Sequence, residues 1–206
     1  MNAMNEMPAK LKARAARKSA KRDEKKQQIA ESAIEALKEL GYANTSLRDI
    51  AEKSDLSLGM LHYYFEDRTD LIIFCVEIYK RQFVADIMDA LDKAQGRDGV
   101  IEGFATALAA SIADDAMTHR LWYDIRNQAL FDASFRPVVA EIENMLIGIV
   151  RTAMTKAGHA NPENVDLSYA LLDGVFRHLM QGRVNEDARD RETMAAIFRG
   201  LLDQFL

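Results

Sequence analysis

The sequence predicts an all-α protein, and three observations carry that reading. Pro and Gly are scarce, at 3 and 10 of 206 residues, which disfavours loop-rich or collagen-like chains and suits helices. Apolar residues recur at three- and four-residue spacing along most of the chain. No stretch alternates with period two over a useful length. Hydrophobic residues make up 49% and charged residues 29%, so the chain has the composition of a globular protein and enough length to bury a core.

Taken in order, the elements are these. Ile29, Ala30, Ala33, Ile34, Leu37 and Leu40 lie on one face of a first helix. Gly41 suits its C-terminal cap. Asn44, Thr45 and Ser46 form a cluster of N-cap residues, and a second helix runs from about Leu47 to Lys53, with Leu47, Ile50 and Ala51 inward. Ser54, Asp55 and Leu56 read as a tight turn. A third, short helix starts near Ser57 and ends near Tyr64. Asp67 opens a long helix to about Leu91, and Gln95 to Gly99 break it. Helical patterns resume at Ile101–Ala113 and Thr118–Phe131. Pro137 fits the first turn of the next helix, striped by Val138, Val139, Ile142, Met145, Leu146, Ile149, Val150 and Ala153. After Gly158 to Pro162 comes a helix lined by Leu167, Leu171, Leu172, Val175, Phe176 and Leu179. A final helix carries Met194, Ile197, Phe198, Leu201, Leu202 and Phe205. About nine or ten helices are expected on this periodicity.

Charge is unevenly spread. The net charge is −5, yet nine basic and three acidic residues leave the first 26 positions at +6 and the remaining 180 at −11. A basic arm, residues 1–24, on an acidic body can bind phosphate and steer association. Its bland alternative is a solvated tail. The single cysteine, Cys75, excludes a disulfide framework and a multi-cysteine zinc site, and an apolar helix face makes it a buried thiol. The histidines, at 62, 119, 159 and 178, are scattered, with no metalloprotease, nucleophile-elbow or phosphate-loop context. No catalytic residue, metal site or cofactor is therefore expected. No apolar run approaches the roughly 20 residues of a membrane span, and no apolar h-region stands at the N-terminus. A cytoplasmic protein with no membrane partner is expected.

Two helices of about seven residues joined by a tight turn are marginal alone. Their common setting is the helix-turn-helix, in which one helix buttresses and the other enters the major groove. The run from Thr45-Ser46-Leu47-Arg48-Asp49-Ile50-Ala51 through Leu56-Ser57-Leu58-Gly59-Met60-Leu61-His62-Tyr63-Tyr64-Phe65 to Arg68-Thr69-Asp70-Leu71 closely resembles the DNA-binding domain of tetracycline-repressor-like (TetR) transcriptional regulators. The resemblance covers about residues 25–75. It implies a helix-turn-helix domain at 25–70 and a helical effector-binding and dimerisation domain at 71–206. Two positions depart from the family pattern. Asp55 stands where the turn usually has glycine, and Asp tolerates left-handed geometry. His62 replaces a frequent tyrosine.

The resemblance implies DNA-binding roles for Thr45, Ser46, Ser57, Leu58, Gly59, Met60, His62, Tyr63, Tyr64 and Arg68. Ser46, Thr45 and Ser57 would offer hydroxyls to phosphates. Leu58, Met60 and Tyr63 would face base edges or thymine methyls, and Arg68 would meet a backbone phosphate, which fixes register. Leu61 and Phe65 are expected in the core. Lys18, Lys21, Arg22 and Lys25 would lie near phosphates, with a helical extension or a loose tail as the alternatives.

Operator half-sites lie about one helical turn, or a multiple of it, apart, so such readers are usually two-fold dimers. By resemblance, the last two long helices pair with their mates as a four-helix bundle. Val139, Ile142, Met145, Leu146, Ile149, Leu171, Leu172, Val175, Phe176 and Leu179 are its candidates, with simple core as the alternative. An effector pocket among the central helices would draw on Met88, Phe104, Leu108, Met117, His119, Trp122, Tyr123, Arg126, Asn127 and Phe131. Arg126 suits a carboxylate or phosphate, unless it pairs with Asp124 or Glu102. Leu121 to Pro137, and Leu171-Leu172-Asp173-Gly174 to Gly182, resemble the choline/betaine-responsive branch. No aromatic cage for a quaternary ammonium is identifiable in the sequence. The implied function is a homodimeric repressor released from a palindromic double-stranded DNA operator by a small-molecule effector. The alternative keeps the fold without an effector, under architectural or protein-partner control.

Overall fold

The computed structural model describes residues 9–186 and 189–206, with side chains from residue 16 onward. Among them the protein has eight α-helices and one 3-10 turn. They are α1 (Ala9–Leu40), α2 (Leu47–Lys53), α3 (Leu58–Tyr64), α4 (Arg68–Lys93), α5 (Gly96–Gln128), α6 (Arg136–Lys156), α7 (Val165–Val184) and α8 (Arg191–Leu202), with the 3-10 turn at Ala133–Phe135. No strand is present among the described residues. The chain divides into two compact units, residues 1–75 and 76–206.

In the first unit, Ile29, Ala30, Ala33 and Leu37 of α1 are buried, as are Ile50, Leu61, Phe65, Leu71 and Cys75. Each large side chain so buried contributes about 1.5–3 kcal/mol. The short helices rest on their caps. The Ser46 hydroxyl accepts from the Asp49 amide, and the Asp49 carboxylate accepts from the Ser46 amide at 2.7 Å, which satisfies two orphan donors at once. The Ser57 hydroxyl accepts from the Met60 amide at 3.2 Å and starts α3. Between them Asp55 takes φ 52°, as its left-handed tolerance allows. Gly41, at φ 78°, ends α1 and donates to the Leu37 carbonyl at 2.9 Å. Asp67 accepts from the Asp70 amide at 2.8 Å and opens α4.

In the second unit, α5 packs against α7, α8 and α6, and α6 packs against α7. Trp122, Phe104, Phe198 and Ile87 are fully buried there.

One expectation needs correction. Residues 9–24 are not a separate arm: α1 begins at Ala9 and runs without a break into the first helix. Lys and Arg are good helix formers, so the basic segment continues the helix that Ile29 and Leu37 anchor. Residues 1–8, and the side chains of Lys10, Lys12 and Arg14, lie outside the described residues. The helices expected at Ile101–Ala113 and Thr118–Phe131 lie end to end within α5, which breaks between them at the non-helical Asp115 (φ −143°, ψ 35°); the second ends at Gln128. Counted on either side of that break, the α-helices among the described residues number nine, as the periodicity predicts.

Candidate functional site

The first candidate surface is α3. Of its seven residues only Leu61 is buried. Leu58, Met60 and Tyr63 are 38%, 44% and 60% exposed, and Gly59 and His62 are exposed beside them. A short helix that anchors by one leucine and turns three large apolar side chains outward is built to be covered by something else. Gly59 has open space around its Cβ position, so the helix surface there is flat. Tyr64 is half-buried, its ring edge-on to Tyr63 at 5.0 Å.

Basic side chains surround this helix. The Arg22 guanidinium stands 5.9 Å from the Tyr63 ring centroid. Lys26 lies over Phe65 and Phe74, at 4.7 and 5.1 Å. Lys18 and Lys21 are exposed on α1, and Lys25 is half-buried. Arg48 on α2 is exposed; the motif contains it, but it was not among the expected contacts.

Three expected phosphate ligands are otherwise engaged. Thr45 is 3% exposed, and its hydroxyl donates to the Gly41 carbonyl at 2.7 Å. It closes the α1–α2 turn and offers no hydroxyl outward. Ser46 is exposed, but its hydroxyl proton goes to the Asp49 carboxylate at 2.6 Å. That hydrogen bond is the chief reason the Asp49 carboxyl is held below its usual range. Arg68 donates through Nε to the Thr45 carbonyl at 2.7 Å and through Nη2 to the Tyr42 carbonyl. Its guanidinium stacks over the Tyr42 ring at 4.3 Å. Arg68 therefore fastens the start of α4 to the α1–α2 turn, with two of its N–H groups already used.

The second candidate site is a cavity inside the second unit, with about 440 Å³ of empty space. Phe104, Leu108, Trp122 and Tyr123, all expected effector contacts, line it. Phe83, Leu146, Leu172 and Phe176 complete its apolar wall, and Lys80, Tyr169 and Asp173 form its polar part. Its lining, mostly apolar with a few polar groups, is that of a small-molecule pocket.

The polar part is ordered around Asp173. Tyr123 donates to it at 3.0 Å and Arg126 at 2.6 Å. Arg126 also pairs with Glu143 at 2.7 Å, so its partners are these two carboxylates, not Asp124 or Glu102. Burial, reinforced by Asp173, pushes the Tyr123 and Tyr169 hydroxyls up. Lys80 is 2% exposed, and burial brings its ammonium down to about 7. It faces the rings of Phe83, Tyr79 and Trp122 at 4.7, 5.0 and 5.2 Å.

Several other expected pocket residues stand elsewhere. Phe131 is 85% exposed, past the end of α5, and Asn127 is exposed. Met88 and Met117 are half-buried and do not line the cavity. His119 is buried among the rings of Phe176, Phe83 and Tyr79, with Nδ1 bonded to the Tyr79 hydroxyl. Burial, and secondly Lys80, hold it well below the usual histidine range, so it is neutral. It borders a neighbouring cleft with Tyr79, Asp114 and Asp115.

The expected interface residues are mostly core. Val139, Ile142, Leu146, Ile149, Leu172, Phe176 and Leu179 are all buried within one chain, which leaves them almost no surface for a second. Met145 and Val175 are half-buried and Leu171 is exposed. On α7 the outward stripe is Leu167, Leu171, Gly174 and His178, all exposed. Leu167 and Leu171 are 60% and 51% exposed.

Two features escaped the sequence reading. Lys80 sits in the apolar register Val76, Lys80, Phe83, Ile87, and a lysine at such a position is the signal that was available. Tyr169 and Asp173 gave no local signal.

Two short capped helices on a longer one, followed by a larger helical unit with an internal cavity, define a helix-turn-helix regulator architecture. The sequence matches the description "Bacterial regulatory proteins, tetR family" over residues 29–73. It matches "Tetracyclin repressor-like, C-terminal domain" over residues 95–204. The chain belongs to the TetR family of transcriptional regulators. It is 24% identical over 180 residues to the HTH-type transcriptional regulator PksA of Bacillus subtilis (strain 168), covering 84% of this chain and 87% of that protein. Its fold is similar to that of a transcriptional regulator from Pseudomonas aeruginosa PAO1, with TM-score 0.72 and 16% identity, covering 88% of this chain and 90% of that one. It is also similar to FadR of Bacillus subtilis, solved in complex with stearoyl-CoA, with TM-score 0.63, 21% identity and coverage of 87% and 96%. No helix among the described residues is long and apolar enough to cross a membrane.

Proposed function

We propose that the protein is a homodimeric repressor that reads a pseudo-palindromic operator with α3 and is released by a small molecule in the second-unit cavity. The observation that carries the DNA-reading half is the outward face of α3. Leu58, Met60 and Tyr63 project from it, with the Arg22 guanidinium against the Tyr63 ring. Apolar and aromatic groups suit thymine methyls and base edges, and the cation suits phosphates. Ser57 keeps its hydroxyl proton for a phosphate. In this reading residues 25–70 form the reading head, and 71–206 bind the effector and the second subunit.

The dimer contact runs along the α7 stripe of Leu167, Leu171, Gly174 and His178, spaced so as to fall on one helix flank. With no side chain at Gly174 and open space above it, a second helix can approach closely. The effector acts by binding one of two conformations more tightly than the other. The helix α4 carries Arg68 at its start and Lys80 in its middle, so the chain passes from one function to the other along a single helix. FadR's complex with stearoyl-CoA supports reading the cavity as an effector site.

The test is selection from random DNA duplexes with the purified protein at about physiological salt. An enriched inverted repeat, with a changed preference in Tyr63→Ala, is the expected result. Binding that shows no sequence preference and vanishes as salt rises would overturn the proposal.

A further inference from the structure

Two donors on the cavity wall have no protein acceptor. The Trp122 indole N–H and the Tyr169 hydroxyl are buried and make no hydrogen bond among the described residues. The Lys80 ammonium is buried against three rings, and no carboxylate among the described residues stands within ion-pair distance of it. Asp173, on the same wall, is already engaged by Tyr123 and Arg126. A buried donor left without an acceptor is costly, and here two of them line the same space as the Lys80 ammonium.

Aromatic rings around a cavity ordinarily suggest a cationic guest. Here the protein's own ammonium holds that place, over Phe83, Tyr79 and Trp122. A quaternary ammonium would meet a like charge. An anion would find the Lys80 ammonium, on which Asp173 acts from the same wall without forming an ion pair, and two hydrogen-bond donors. Arg126 is shared by Asp173 and Glu143, and Asp173 also acts on Lys80, so the wall has little positive charge to spare and a monoanion fits better than a phosphate dianion. The space is also slim.

We propose that the cavity takes a small monocarboxylate whose carboxylate is held by Lys80 with Trp122 and Tyr169, and whose apolar body lies among Phe104, Leu108 and Leu146. The proposal rests on reading the cavity as the effector site and names the class of ligand. It also separates this chain from the choline side of the choline/betaine likeness, because choline carries no acceptor anion.

The test is titration calorimetry on the full chain with straight-chain acids from butyrate to decanoate and with phenylacetate. Each acid is run beside its own primary amide, with choline as the cationic probe. At least one acid is expected to bind about tenfold or more tightly than its amide, and choline is expected not to bind. Lys80→Met is expected to erase that preference while still binding the selected operator. Equal binding of acid and amide, a preference that survives in Lys80→Met, binding of choline in place of the acids, or no binding of any acid would each overturn the proposal. Acids that bind through Lys80 without weakening operator binding would leave the carboxylate site standing and refute the effector reading instead.

Discussion

The Nε of Arg68 donates a 2.7 Å hydrogen bond to the main-chain carbonyl of Thr45, tying the first residue of α4 to the residue that precedes the α2 cap. The side chain also caps the Tyr42 carbonyl and covers its ring. Arg68 is thus a fastener of the reading head before it is a phosphate ligand. Arg68→Ala should cost about 1–3 kcal/mol by leaving two carbonyls unpaired. Arg68→Lys should recover only part of that, since an ammonium cannot reproduce the planar fork. Urea denaturation of both variants checks this, and a lysine variant as stable as wild type would refute the fastening role.

Ser46→Ala should remove the α2 cap and cost about 1 kcal/mol. The Asp49 carboxyl, now held low chiefly by the Ser46 hydroxyl, should rise toward its ordinary value of 3.8. A depressed carboxyl contributes stability above its unfolded value and loses it as pH falls through the folded one. Wild type should therefore lose this contribution in acid, and the variant should have less to lose, since the Ser46 amide and Arg48 still lower the carboxyl. A carboxyl NMR titration reads the shift directly.

Lys80 titrates near 10.5 unfolded and about 7 folded. Between those values the unfolded chain binds the extra proton, so the stability contribution rises with pH and the penalty is fullest below the window. Desolvation is the main cause, offset by Asp173 and reinforced by Arg126; His119, Tyr79, Tyr123 and Tyr169 are the other titratable neighbours. Lys80→Met should be more stable than wild type by about 1–4 kcal/mol near pH 6, and the gap should close toward pH 10. Denaturation curves across that range decide it, and a gap that stays constant with pH would be the contrary result.

Leu171→Glu places a charge at the middle of the outward α7 stripe. Leu171 is 51% exposed in the single chain, so the fold should tolerate it within about 0.5 kcal/mol. Self-association should weaken by tenfold or more, equivalent to about 1.4 kcal/mol. Sedimentation velocity over a dilution series measures it. Leu172→Glu, at a buried position, should instead unfold the second unit.

The short helices were legible because their signals are local. Ser46 and Ser57 each cap within three residues, and α2 spans Leu47–Lys53 as the pattern predicts. Thr45 misled because it is as good a cap residue as Ser46; only the packing around Gly41 decides which one faces water. The stripes on α6 and α7 misled for a related reason. Amphipathic periodicity says that a face is covered, not whether its own chain or a second copy covers it. Arg126 could not be paired from sequence, since Asp173 lies 47 residues away and acidic residues are plentiful. The cavity followed the same rule: Trp122 and Phe104 were legible as large apolar groups, whereas Tyr169 became visible only once α7 lay beside α5.

The double grip of Arg126 has a mechanical consequence. A single guanidinium on α5 holds Glu143 on α6 and Asp173 on α7, so the three helices share one pivot. Sliding α7 along α6 would stretch the Asp173 contact or draw Arg126 away from Glu143. The outer surface of α7 is therefore indexed, like a gear tooth, to the same point that borders the cavity.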